Sequence, residues 1–205
     1  MFKQHLNLAI AFALLCMGAI STSWSLETGK PAPEFTLTDT HGKIHSLTDF
    51  KGKTVVLEWT NPGCPFVVKH YGSGNMQALQ KEYTAKGVVW LTICSSAPGK
   101  QGQMSSANWN KNLTENGSSP TALLIDEDGT VGRLYKAKTT PHLFVINSGG
   151  NVVYEGAIDS IKSPNPEDIP KATNYVRAAL DEVLAGKPVT QPSTTPYGCS
   201  VKYAN

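Results

Sequence analysis

Residues 54–59 form a short apolar run that contains one acid, Glu58, and the run stops at Asn61-Pro62-Gly63, just before Cys64-Pro65. Val55 and Val56 suit a buried strand. The Asn61-Pro62-Gly63 break imposes a turn. Pro65 lacks an N–H and fits the opening turn of a helix, where that donor is not needed. The chain therefore runs strand, turn, helix, with Cys64 at the junction. A helix N-terminus lowers the pKa of a thiol, and the thiolate is the reactive species. Cys64 is the expected nucleophile; the alternative is a buried structural cysteine. A second cysteine three residues on would complete a local dithiol, but Val67 stands there.

Strands and helices alternate along the rest of the chain. Residues 34–38 alternate with period two, 39–43 are turn-rich, and 44–47 can return as a hairpin. Met76, Leu79 and Tyr83 recur at helical spacing up to Lys86-Gly87. Residues 88–93 are apolar throughout, as in a strand covered on both faces. Residues 95–106 read as a loop, 107–116 as a weak helix, 121–125 as a third core strand and 131–135 as a short helix. Residues 143–146 and 152–154 flank a Gly-rich turn, which is a hairpin signal. Residues 163–170 hold three prolines and read as a linker. Residues 171–185 carry an apolar stripe of Ala172, Tyr175, Val176, Ala179, Leu180, Val183 and Leu184, ended by Gly186 and Pro188. This order predicts a mixed sheet sandwiched by helices.

The first 25 residues read as a secretory signal: Lys3, an apolar stretch over 8–20, then small residues at Ser23 and Ser25. The stretch is shorter than the ~20 residues needed to span a bilayer. The alternative is an uncleaved anchor. Cys16 lies in this stretch after Leu15, which does not suit lipoprotein processing, and is expected to leave with the signal. Residues 26–187 then form one domain and 188–205 an extended tail that carries Cys199. Removing Lys3 leaves 17 basic against 16 acidic residues, and Arg133 and Arg177 are the only arginines. That balance points to neither nucleic acid nor an acidic lipid surface, and no stable membrane insertion is expected after cleavage. Export implies a periplasmic or secreted protein in a compartment where disulfides persist. Three cysteines remain, Cys64, Cys94 and Cys199, an odd number that leaves one thiol over or paired elsewhere.

Three features in order carry a resemblance: Cys64 at the exit of the first core strand, Glu58 six residues earlier, and Thr140-Pro141 directly before the strand that starts the terminal hairpin. On these the chain resembles the thioredoxin fold. More narrowly, it resembles the exported peroxiredoxin-like proteins of the AhpC/TSA type, over about residues 30–157. The resemblance implies an α/β fold with a central mixed sheet flanked by helices, an N-terminal hairpin and an extended C-terminal tail. Two departures stand out. Val67 replaces the second cysteine of a Cys-x-x-Cys motif, and Leu57 and Asn61 stand where peroxiredoxins carry a proline and a threonine. The end of the chain, Tyr197-Gly198-Cys199-Ser200, is similar to the end of a subgroup that shares Cys64-Pro65-Phe66-Val67.

The resemblance also implies roles. Glu58 would be a buried acid beneath Cys64 that moves a proton as a mixed disulfide forms or resolves; the alternative is an edge-strand acid facing water. Pro141 would be a cis-proline that keeps the neighbouring backbone open to a substrate strand, with Pro65 and Thr140 as contacts. Cys199 would be the resolving thiol on a mobile tail; the alternative is a free or intermolecularly paired cysteine. Cys94 would be a partner of Cys64 or a small buried hydrophobe. His70 and His142 are weaker candidates for groups near the thiol. The substrate would be a peroxide or a disulfide, the partner an external thiol reductant, and neither cofactor nor metal is implied. The competing class is a partner-binding module in which Cys64 performs no catalysis; behind it stands a metal carrier, which the absence of a second cysteine at Val67 disfavours.

Overall fold

The computed structural model describes residues 27–204; the signal expected at residues 1–25 lies outside them. Seven strands form one sheet. In chain order they are β1 (Thr36–Asp39), β2 (Ile44–Ser46), β3 (Val55–Trp59), β4 (Val89–Cys94), β5 (Ala122–Ile125), β7 (His142–Ile146) and β8 (Val152–Gly156). Their spatial order is β2-β1-β5-β4-β3-β7-β8. Strands β3, β4 and β5 run parallel, and the flanking pairs are antiparallel. The sheet is therefore mixed, and the N-terminal hairpin extends it through β5.

Period-two alternation divides the core. On β3, Val55, Leu57 and Trp59 face one layer with Leu91, Ile93, Tyr135 and Phe144. Val56 faces the other, with Met76, Leu79, Tyr83, Trp90 and Leu180. That second layer is covered by α1 (Pro65–Gly72), α2 (Asn75–Ala85) and α5 (Tyr175–Leu184). On the flank of β4 and β5, α3 (Ser106–Glu115) buries Trp109 against Cys94 and Leu123. The short α4 (Thr130–Leu134) follows β5.

Two sequence expectations shift. The helical stretch after Cys64 is two helices, because Gly72-Ser73-Gly74 breaks it and Gly74 caps α2 at φ +76°. The last helix starts at Tyr175 and not at residue 171. Pro170 sits inside a 3₁₀ turn, Pro166–Lys171, and the Asn174 side chain then caps α5 by accepting from Arg177 N–H at 2.9 Å. Its buried face is Val176, Ala179 and Leu180, while Leu184 is exposed.

The tail is packed, contrary to the mobile segment expected. Thr194 N–H bonds Glu155 O at 3.0 Å, so residues 192–194 cover the edge of β8. Further on, β9 (Cys199–Ser200) pairs antiparallel with β6 (Thr139–Thr140). Tyr197 and Val201 are both buried.

Candidate active site

Cys64 is the N-cap of α1, with Pro65 at the first helical position. The local reason is that Pro65 can open a helix but not continue the strand. The side chain is fully buried. Its Sγ lies 3.0 Å from Thr140 O, to which the protonated thiol donates. The Thr140–Pro141 peptide bond is cis. Thr140 is registered directly against Cys199 in the β6–β9 pair. Cys64, Thr140, Pro141 and Cys199 are thus brought to one place from three distant parts of the chain.

The two thiols are unequal. Burial pushes the Cys64 thiol up, but the polar surroundings, chiefly the neighbouring Cys199 and then Thr140 and the Val67 N–H, outweigh it, so the group lies below the ordinary thiol value. Cys199 is pushed up to about 11, first by burial and then by the neighbouring Cys64. The arrangement stabilises a thiolate on Cys64 and keeps the proton on Cys199. Cys199 is also the more accessible of the two.

Sequence reasoning placed an open edge beside Pro141 for a substrate strand. In the structure the chain's own tail occupies that edge, as β9 lying on β6. Gly198 makes this possible: its φ is +143°, and a Cβ there would lie 2.1 Å from Thr140 O. Val67 lines a pocket of about 170 Å³ with Thr60, Pro62, Val68, Tyr71 and Trp109, so hydrocarbon fills the place of a second local thiol.

Glu58 is fully buried, on the helix-covered face of β3. Its carboxylate accepts from the Tyr71 hydroxyl at 2.7 Å, Trp90 Nε1 at 2.8 Å, Gln80 Nε2 at 3.2 Å and the Thr92 hydroxyl at 3.2 Å. Burial pushes its pKa up against these four donors. No hydrogen bond joins Glu58 to Cys64 among the described residues, and the link between the two runs through α1, which carries both Cys64 (its cap) and Tyr71. Sequence reasoning missed the four donors. The register Glu58 opposite Thr92 follows only once β3 and β4 are paired.

The other candidates lie apart from the thiols. Cys94 packs with Trp109 and Leu123, its Sγ 3.5 Å from Gly102 O, and burial pushes its pKa up. His142 stacks on Phe144, accepts from Lys138 N–H at 3.3 Å, and is lowered to about 3 by burial, with Lys138 adding to the effect. His70 is lowered to about 4, chiefly by burial, and its Nδ1 meets Asn75 at 2.9 Å. Among the described residues no cluster of three or more His, Cys, Asp or Glu side chains has the geometry to hold a metal.

The AhpC/TSA family model matches residues 28–155. The thiol-disulfide oxidoreductase ResA of Bacillus cereus is 29% identical over 165 residues, which cover 80% of this chain and 89% of that protein. A crystal structure of an uncharacterized conserved protein from Geobacillus kaustophilus superposes with TM-score 0.77 at 31% identity, covering 88% of this chain and 94% of the other. A putative thiol:disulfide interchange protein DsbE from Chlorobium tepidum superposes with TM-score 0.52 at 26% identity, covering 64% of this chain and 85% of the other. The fold is thioredoxin-like, as the sequence led us to expect.

Proposed function

The chain belongs to the AhpC/TSA family, and on that premise we propose that it is a thiol-disulfide oxidoreductase of the thioredoxin-like type. In this reading Cys64 attacks and Cys199, delivered by the C-terminal tail, is the second thiol. The observation that carries the reading is the β6–β9 register, which sets Cys199 directly against Thr140, whose carbonyl oxygen lies 3.0 Å from Cys64 Sγ. In that setting the Cys64 thiol is lowered and the Cys199 thiol raised, which is the division of protons that thiol–disulfide exchange needs, because the thiolate is the nucleophile.

The Cys64 thiolate attacks one sulfur of a substrate disulfide. A mixed disulfide forms and the other substrate sulfur leaves as a thiolate. Cys199 then loses its proton to that departing thiolate and attacks Cys64 Sγ. The Cys64–Cys199 disulfide forms and the second substrate thiolate is released. The substrate disulfide has been reduced by two electrons and the protein oxidised by two. An external dithiol reverses the oxidation and completes the cycle. Pro65 and cis-Pro141 shape the backbone on either side of Cys64. Glu58, whose pKa burial raises, is assigned to proton transfer as the mixed disulfide forms or resolves.

Burial of Cys64 beneath the tail favours small oxidants, which supports a peroxide as a second substrate class in the same cycle. A peroxide would oxidise the thiolate to a sulfenic acid and leave as an alcohol or water. Cys199 would then condense with the sulfenic acid and expel water. Export through residues 1–25 to a periplasmic or secreted location belongs to the same proposal; no described helix is long and apolar enough to cross a membrane.

Reduction of a small aromatic disulfide and consumption of peroxide, each driven by an external dithiol, test the reading side by side. Cys64→Ser is expected to abolish whichever turnover the wild type shows. Cys199→Ser is expected to retain the first attack and accumulate a mixed disulfide, or a sulfenic acid, on Cys64. Unchanged turnover in Cys64→Ser would overturn the assignment, and a wild type silent in both assays would favour a partner-binding module.

A further inference from the structure

Asp159 lies just beyond β8 and is buried, with 3% of its surface exposed. Its two carboxylate oxygens serve different elements. Oδ2 accepts from Lys69 Nζ at 3.1 Å. Oδ1 accepts from the Tyr197 hydroxyl and from Ile161 N–H. Lys69 is itself buried and also donates to Ile161 O at 3.3 Å, and its ammonium sits 5.8 Å from the centre of the Tyr197 ring. His70 Nε2 stands 3.7 Å from Oδ2 with no hydrogen-bond partner among the described residues.

The elements joined are the two that carry the thiols. Lys69 belongs to α1, which Cys64 caps. Tyr197 stands two residues before Cys199 in the tail. A buried ion pair is a weak source of stability, because desolvating two charges offsets most of their attraction. It is better suited to fixing geometry, since losing either partner leaves a charge buried and unpaired. The tail has apolar anchors enough without it: the Tyr197 ring packs edge-on to Phe66 at 5.7 Å, and Val201 enters the core. Those contacts would hold a phenylalanine equally well. Among the described residues the Tyr197 hydroxyl bonds only to Asp159.

We propose that Asp159 is a positioning residue that ties Tyr197 to α1 through Lys69 and thereby seats Cys199 against Cys64. The proposal rests on the reading of Cys64 and Cys199 as a redox pair. It extends the site to three residues, Lys69, Asp159 and Tyr197, that touch neither sulfur. In the reduced protein the clamp places the Cys199 thiol where it can donate to Cys64. In the mixed-disulfide state it keeps Cys199 within reach of Cys64 Sγ, so the second attack is fast relative to escape of the intermediate.

Tyr197→Phe isolates the hydroxyl and keeps the ring. Two readouts separate positioning from simple stability. The first is the equilibrium between the Cys64–Cys199 disulfide and a glutathione buffer. Loss of one hydrogen bond to a buried charged group is expected to lower the effective concentration of Cys199 roughly tenfold or more. The second is the titration of the Cys64 Cβ resonance by NMR in wild type, Tyr197→Phe, Cys199→Ala and the double variant. Tyr197→Phe is expected to move the Cys64 midpoint upward toward that of Cys199→Ala, and to add nothing in the Cys199→Ala background. Asp159→Asn, which keeps an acceptor for the hydroxyl but loses the charge facing Lys69, is expected to shift both readouts in the same direction and stands in if Tyr197→Phe fails to fold. If wild type forms no Cys64–Cys199 disulfide in the glutathione buffer, the redox-pair reading fails. If the disulfide forms while Tyr197→Phe and Asp159→Asn leave both readouts at wild-type values, or if the effects add in the double variant, the positioning role is overturned and the redox pair stands.

Discussion

Gly198 lies so close to Thr140 that a single added carbon at Gly198 would sit 2.1 Å from the Thr140 carbonyl oxygen. That approach lets the tail lie down as β9 beside the cis-proline segment and brings Cys199 to the sulfur of Cys64. The backbone angle of +143° is unfavourable for any side chain, so Gly198→Ala meets both a clash and a conformational cost of about 1–3 kcal/mol. We predict that Gly198→Ala releases the tail while leaving the seven-stranded sheet intact. Limited proteolysis should then cut near residue 198, and iodoacetamide should reach Cys64, which is fully buried in the wild type. A protected tail in Gly198→Ala would show that the close approach is not what seats it.

Oxidation is expected to stabilise the protein. A bond between Cys64 and Cys199 closes a long loop, and the chain-entropy account gives about 5 kcal/mol for closures of that length. The reduced tail is already docked, so little folded-state rearrangement opposes the gain. Denaturant unfolding of oxidised and reduced wild type should therefore differ by several kcal/mol, and Cys199→Ser should show no such difference.

Acid sensitivity follows from two buried imidazoles. His70 and His142 are lowered by burial to about 4 and about 3. Between those values and the ordinary histidine pKa of about 6.5 the unfolded chain binds protons that the folded chain does not, so stability falls as pH drops through that window. Glu58 acts in the opposite sense, because its raised pKa lets the folded state hold a proton the unfolded state has lost. The histidine share is separable. His142→Gln keeps an acceptor for Lys138 N–H and cannot titrate, so between pH ~6.5 and ~4 its stability should vary with pH by ~1.4 kcal/mol per unit less than wild type. An unchanged slope would mean that His142 is not buried neutral.

Among the described residues the carboxylate of Glu58 is matched by four donors. Glu58→Gln turns one acceptor into a donor facing donors, which leaves buried N–H or O–H groups unpaired and should cost about 1–3 kcal/mol. Since no hydrogen bond links Glu58 to Cys64, the initial rate of attack by Cys64 should change by only a few-fold. Stopped-flow measurement of that attack, beside the unfolding midpoint, checks both halves. A large fall in the first rate with little loss of stability would place Glu58 in the first chemical step.

Local chemistry made much of this legible in the sequence. Pro65 after Asn61-Pro62-Gly63 marks the helix start at Cys64, and the Gly-rich turn at residues 147–151 marks the hairpin β7–β8. The packed acid Glu58 and the cis bond before Pro141 followed from the family resemblance, and both are present. What escaped was long-range. The β6–β9 pair has two residues on each strand, too few to carry a period. Lys69, Asp159 and Tyr197 are separated by 90 and 38 residues, and each alone reads as an ordinary surface side chain. The tail was expected to be extended and mobile. Its docking depends on the β8 edge, Phe66 and the Thr140 carbonyl, none of which is a local signal.

The central claim is that Cys64 and Cys199 form one redox pair, and non-reducing peptide mapping of the protein after one equivalent of oxidant tests it most directly. The account predicts a Cys64–Cys199 linkage within one chain, with Cys94 recovered as a free thiol from its buried place beside Trp109 and Leu123. A Cys94–Cys199 linkage, or Cys199 recovered free while Cys64 carries the oxidation alone, would contradict it.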